Sequence, residues 1–198
     1  MFALNLPNIL TLLRILLVPV LVVVLLGETE NGDLWAALVF GVASATDAMD
    51  GYLARSRDAV TSFGKLMDPI ADKLLIIAAL VSLVSLNRLA AWVAMVIIAR
   101  ELTVTVTRMQ ATQHGLIIAS SWWGKAKTIV QVAAIFFLIA AGHPSPVWVD
   151  GLVYGAVAIT IVSGVDYFFG LRRVLRDAEE RREAATVAAH AETKPTAP

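Results

Sequence analysis

The chain has 198 residues, 58% of them hydrophobic, a mean hydropathy of +0.75 and only 16% Asp, Glu, Lys and Arg. So little polar surface cannot clothe a water-soluble domain of this length, and a formal net charge of zero excludes the basic footprint of a nucleic-acid binder. Cysteine is absent, which removes disulfides and thiol chemistry.

A membrane-spanning helix needs roughly 20 mostly apolar residues to cross about 30 Å of hydrocarbon. Six stretches qualify: residues 7–26, 34–54, 69–86, 90–109, 123–141 and 147–170. None alternates as a barrel strand does, so the expected fold is an all-α integral membrane protein, a six-transmembrane-helix bundle. The first run has no basic segment before it and no convincing small-x-small cleavage site after it, and is expected to stay as a membrane helix. It opens on Pro7, suited to a first helical turn, and carries Asn8, Thr11 and Arg14 at three-residue steps. An arginine inside a span is costly and faces a polar interior.

The segment GETENGD between the first two spans holds three acids and no base. Bases gather on the other side: Arg55, Arg57 and Lys65 between spans two and three, Arg108, Lys125 and Lys127 between four and five, and Arg172, Arg173 and Arg176 after six. Only Arg88 falls opposite them. Both termini are therefore expected in the cytoplasm. Residues 1–176 form the membrane domain; 177–198 read as a charged tail, helical in RDAEERREAATVAAH and disordered in ETKPTAP.

The charge worth most scrutiny lies in TDAMDGYLARSRDAVTSFGKLMDPIADK, residues 46–73. Asp47 and Asp50 are three apart at the cytoplasmic end of span two; Asp68 and Asp72 are four apart at the start of span three. Each pair shares a helix face, and the ten or so residues between the spans let the two faces meet. Asp68 precedes Pro69, so either it caps the third helix or that helix starts earlier. Four carboxylates converging near lipid repel one another and lose solvation, and a divalent cation offsets both costs. All-oxygen ligation suits Mg²⁺ or Mn²⁺, with Ca²⁺ as an alternative. Any one of these aspartates alone reads equally well as a cap or an interfacial charge; four at helical spacing on one side of consecutive spans favour metal. Gly51 and Ala54 leave the backbone approachable, for a ligand or for a neighbouring helix. Arg55, one turn on, is placed to fork onto phosphate oxygens, so metal and arginine together suggest phosphoryl transfer.

The positions Asp47, Asp50, Gly51, Ala54, Arg55, Gly64, Asp68 and Asp72, eight over 26 residues, resemble the signature of the CDP-alcohol phosphatidyltransferases. The resemblance implies a six-helix membrane enzyme, a homodimer, with its site open to the cytoplasm of a bacterial inner membrane. It also implies that Asp47, Asp50, Asp68 and Asp72 hold a divalent metal pair, Mg²⁺ or Mn²⁺. Asp72 is then the general base, and Gly51, Ala54 and Arg55 bind the cytidine diphosphate of CDP-diacylglycerol. An aspartate with an ordinary pKa near ~4 is a poor base for a free alcohol, and an adequate one beside a metal that acidifies the hydroxyl.

The acceptor alcohol must be read elsewhere. Arg100, Glu101, Thr105 and Arg108 follow one another along span four, and Lys125, Lys127 and Thr128 open span five. A basic set of Arg100, Arg108, Lys125 and Lys127 beside the carboxylates suits an acceptor with its own phosphate, such as sn-glycerol 3-phosphate. Lys125 and Lys127 also read as topology signals, and Trp122 and Trp123 as interfacial anchors. NLPNILTLLR, AREL with its trailing Arg108, and ASSWWGKAKTIVQ resemble the bacterial phosphatidylglycerophosphate synthase branch over about residues 5–170. The branch releases CMP and leads to phosphatidylglycerol. The alternatives are a sister enzyme acting on phosphatidylglycerol, inositol phosphate or serine, and a divalent cation transporter, which would place its acids nearer mid-span.

Overall fold

The computed structural model describes residues 6–27, 29–57, 62–113 and 122–192, with side chains over 9–27, 29–46, 73–113, 122–174 and at 176. Among these residues there are six helices and no strand: α1 Leu6–Leu26, α2 Gly32–Arg57, α3 Ser62–Ser85, α4 Ala91–Gln113, α5 Trp122–Ala141 and α6 Val147–Glu192. The segments 9–26 of α1, 122–141 of α5 and 147–174 of α6 are long and apolar enough to cross a membrane. Among residues with described side chains, α2 and α3 contribute the shorter apolar stretches Gly32–Thr46 and Lys73–Ser85. In α4 the charges Arg100, Glu101 and Arg108 lie within the helix itself.

The boundaries differ from the sequence reading where α2 meets α3. Helix α2 runs on to Arg57 and α3 begins at Ser62, leaving only 58–61 between them. Pro69 stands inside α3, so the helix starts earlier and Asp68 is not its cap. A proline lacks an N–H to donate, and as the eighth residue of α3 it stands past the first turn and removes one hydrogen bond from the helix. At the other end of the chain, α6 continues as one helix through RDAEERREAATVAAH to Glu192, and ETKPTAP lies almost wholly outside the described residues.

The helices close into a ring in the order α1, α2, α5, α6, α4, α3, with α3 also touching α2 and α5 across it. Lipid tails are as apolar as leucine, so burial alone cannot drive this association; close packing must. Ala36 and Ala43 of α2, Ala79 of α3, Ala134 of α5 and Ala156 of α6 are accordingly all buried, and Phe40, Leu80, Leu83 and Leu138 fill the space between them. At Gly41 a Cβ would come within 3.2 Å of the Phe136 ring, so α2 and α5 approach closely there.

The end opposite the aspartates is clasped. Helix α3 terminates with Asn87 in the left-handed region (φ 56°), the Arg88 N–H donating to the Leu83 carbonyl (2.9 Å) and the Asn87 N–H to that of Val84 (3.0 Å). This turn delivers the Arg88 guanidinium to Asp33, in the first turn of α2, where a carboxylate also complements the helix dipole. Gly142, just past α5, has φ 66°, and a Cβ there would lie 2.7 Å from the Asp33 Oδ2. Gly142→Ala is expected to cost about 1–2 kcal/mol through its left-handed backbone alone. The thermal midpoint in detergent should fall, and adding Asp33→Ala should not restore it, because that change removes the ion pair to Arg88 together with the clash.

Candidate active site

Regular α-helix spans both halves of the aspartate signature. Asp47, Asp50, Gly51, Ala54 and Arg55 lie on the last part of α2, and Asp68 and Asp72 on the first part of α3. Unbroken helix preserves the three- and four-residue spacings, and the short connection keeps the two segments adjacent in the chain. The side chains of these seven residues lie outside the described set, as does that of Asn8.

What is described is the polar interior beside them. On α1, Thr11 and Arg14 are buried, so the arginine does face the bundle interior rather than lipid. On α3, Lys73 directly follows Asp72 and its ammonium lies 3.2 Å from the Glu101 Oε2. Glu101, on α4, is only 3% exposed. Its Oε1 accepts a hydrogen bond from the Lys127 Nζ of α5, itself buried, and lies 3.4 Å from Arg100 Nη1. Arg100 turns its other terminal nitrogen to α6, donating to the Ser163 hydroxyl at 3.0 Å, and that hydroxyl in turn donates to the Thr160 carbonyl. Three cations thus surround one carboxylate, from three helices, and the pair Arg100–Glu101 ties α4 to α3, α5 and α6.

The basic residues expected at an acceptor phosphate divide into two groups. Arg100 and Lys127 come together on Glu101. Arg108 and Lys125 are exposed instead, and the Arg108 guanidinium lies 5.8 Å from the centre of the Tyr167 ring, a cation–π contact between α4 and α6. Glu101 and Arg108, seven residues apart, thus differ in depth: one is in the bundle and the other at its surface. Trp122 and Trp123 are both exposed, at the start of α5.

Sequence reasoning missed Ser163 and Tyr167 altogether, and treated Glu101 as a marker rather than a hub. A signal existed for the first two. Thr160, Ser163 and Tyr167, with Asp166 beside the last, follow at three- and four-residue steps through a largely apolar stretch, a polar stripe that a membrane span keeps only for a partner. For Glu101 no periodicity in α4 names its partners.

Residues 4–162 match the family model described as CDP-alcohol phosphatidyltransferase. The chain belongs to the CDP-alcohol phosphatidyltransferases. It is therefore a member of a transferase family and, with its apolar helices, an integral membrane protein. Among similar proteins is the CDP-diacylglycerol–glycerol-3-phosphate 3-phosphatidyltransferase of Bacillus subtilis, 41% identical over 180 residues, 83% of this chain and 93% of that protein. The Escherichia coli K12 protein of the same name is 36% identical over 182 residues, 87% of this chain and 98% of its own. That of Haemophilus influenzae is 35% identical over 169 residues, 82% and 91% of the two chains. The family match ends at 162, so Ser163 and Tyr167 lie just beyond it.

The contrasting depth of the two α5 lysines in this phosphatidyltransferase predicts unequal effects on stability. Lys127→Met strands part of a buried ion cluster and should lower stability by about 3 kcal/mol. Lys125→Ala, at an exposed position, should stay within about 0.5 kcal/mol of the parent. Thermal unfolding of both variants in one detergent checks the contrast.

Proposed function

We propose that this protein transfers the phosphatidyl group of CDP-diacylglycerol to sn-glycerol 3-phosphate, giving phosphatidylglycerophosphate and CMP. One observation carries the reading: relatives aligned over more than nine-tenths of their own length are named for that donor and that acceptor. The reading places six spans in a bacterial cytoplasmic membrane, both termini and the active site on the cytoplasmic side, with residues 1–176 as the catalytic domain. The bases of α5 and α6, on the side away from the Asp33–Arg88 clasp, support that orientation. A homodimer belongs to the same reading.

In the reaction the glycerol hydroxyl oxygen forms a bond to the phosphorus that bears the diacylglycerol, and the bond from that phosphorus to the CMP oxygen breaks. The Asp72 carboxylate takes the hydroxyl proton, and CMP leaves with the electron pair. Arg55 forks onto the pyrophosphate oxygens, and Gly51 and Ala54 leave room for the cytidine. Arg108 and Lys125, exposed at the ends of α4 and α5, contact the acceptor phosphate. Lys127 and Arg100 stand behind them, and their charge adds to the field that the phosphate meets. Asp47, Asp50, Asp68 and Asp72 are an all-oxygen donor set that suits Mg²⁺ or Mn²⁺. These four would hold the ion, which when bound neutralises phosphate charge and acidifies the hydroxyl.

Purified protein given CDP-diacylglycerol and, separately, glycerol 3-phosphate, phosphatidylglycerol, inositol phosphate and serine should release CMP only with the first. Release with another acceptor would move the protein to a sister activity, and metal flux into liposomes without CMP release would make it a transporter. Asp72→Asn should reduce kcat by about 10³-fold or more while the protein still folds. Chelation with EDTA should abolish turnover, and added Mg²⁺ or Mn²⁺ should restore it.

A further inference from the structure

We infer that Glu101 is a positioning residue for the transfer: its carboxylate, shared between Lys73 of α3 and Lys127 of α5, sets the turn carrying Asp72 against the basic start of α5. This rests on the function proposed above. It concerns a residue that touches neither substrate nor the reacting atoms in that scheme.

In the ring, α4 has α3 and α6 as neighbours, whereas α5 sits between α2 and α6. A side chain from α4 that meets α5 must therefore reach across the bundle, and Glu101 does so while 3% exposed. Next, the two oxygens are divided: Oε2 faces Lys73 at 3.2 Å, and Oε1 takes Lys127. Each oxygen thus governs a different helix. Finally, each lysine is adjacent to proposed chemistry. Lys73 follows Asp72, whose Cα is about 3.8 Å away along the chain. Lys127 lies two residues beyond Lys125, in the opening turns of α5. Fixing both lysines on one carboxylate fixes the separation between the proposed proton acceptor and the proposed phosphate contact.

Arg100 strengthens the clamp from behind. It lies against Oε1 at 3.4 Å and is anchored to Ser163 of α6 at 3.0 Å, and the Gly164 backbone lies close enough that a Cβ there would be 3.4 Å from the Arg100 stem. The rotation of α4 about its axis is thereby held by two adjacent residues pulling on different partners.

Chemistry decides which variants are informative. A carboxylate offers acceptors on both oxygens, but a glutamine amide offers one acceptor and one donor. Set between two ammonium groups, glutamine serves one lysine and turns a donor toward the other. Glu101→Gln therefore breaks one of the two links at nearly constant volume. Glu101→Asp keeps the charge but is one methylene too short to span both lysines.

The test uses full-length enzyme purified in detergent, with kcat and KM for each substrate expressed per folded molecule, and a thermal midpoint for each variant. Glu101→Gln is expected to lower kcat by about 10–100-fold, the scale of a misplaced reacting group, and to raise KM for glycerol 3-phosphate. KM for CDP-diacylglycerol should change less than about 3-fold, because the proposed donor contacts lie on α2, whereas the cations described on Glu101 come from α3, α4 and α5. The double variant Glu101→Gln/Lys127→Met should be no worse in kcat/KM than the more impaired single variant, since both cut the same link. A folded Glu101→Gln enzyme with parental kcat and KM, or fully additive losses in the double variant, would overturn the inference. If Glu101→Gln does not fold, Glu101→Asp is measured in its place: a folded enzyme with reduced kcat supports positioning, and parental kcat refutes it. Failure of both variants to fold would assign Glu101 a structural role and also overturn the inference. Failure of the parent enzyme to transfer to glycerol 3-phosphate would instead strike the proposed function, so the two results are distinguishable.

Discussion

A charge in hydrocarbon has no water to solvate it, so it must meet its counter-charge within the protein. That requirement organises the centre of this molecule around the carboxylate of Glu101. Lys73, Lys127 and Arg100 converge on it from α3, α5 and α4, and Arg100 carries the connection on to α6 through Ser163. On a wet surface such pairs contribute little, because solvent and salt screen them and the side chains lose freedom. In a dry bundle, removal of one partner leaves buried charge less fully compensated, at a far larger cost. Four helices are thus held in relative position by one residue and its neighbour.

Around that polar centre the remaining contacts are of two other kinds. Through the middle, small residues such as Ala36, Ala43, Ala79 and Ala156 let backbones approach, because close packing, and not release of water, associates helices in lipid. At the far end, Asp33, Arg88 and Gly142 join the start of α2, the turn after α3 and the end of α5. The aspartate signature lies at the opposite end from this clasp, on the last part of α2 and the first part of α3. For the proposed lipid donor this location is apt. Its phosphates sit at headgroup depth, where the proposed contacts on the helix ends would meet them from rigid elements.

Much of this was legible along the chain because it depends on local pattern. Six apolar runs gave six helices in the expected order, and the positions from Asp47 to Asp72 pointed to the family that residues 4–162 match. Helix ends were less legible. The charged stretch after Ala54 reads as loop by hydropathy, yet its residues continue α2 to Arg57, since hydropathy reports depth in the membrane and not backbone conformation. The same holds for α6, which remains helical well beyond its last apolar residue. Arg14 was legible as interior because an arginine within a span has few alternatives.

The sequence by itself determined the helices, their order, and the spacing of the carboxylates along α2 and α3, all of which follow from periodicity and from the length needed to cross a bilayer. Only the tertiary structure decided which charges meet. Lys127 reaches Glu101 across 26 residues of sequence, Arg88 reaches Asp33 across 55, and Arg100 reaches Ser163 across 63. The same basic residues that look equivalent in the chain are separated by it, Lys127 and Arg100 inside and Lys125 and Arg108 outside. The physical reason is that such pairings depend on the order of helices in the ring and on the rotation of each about its axis. Both are settled by packing among all six at once.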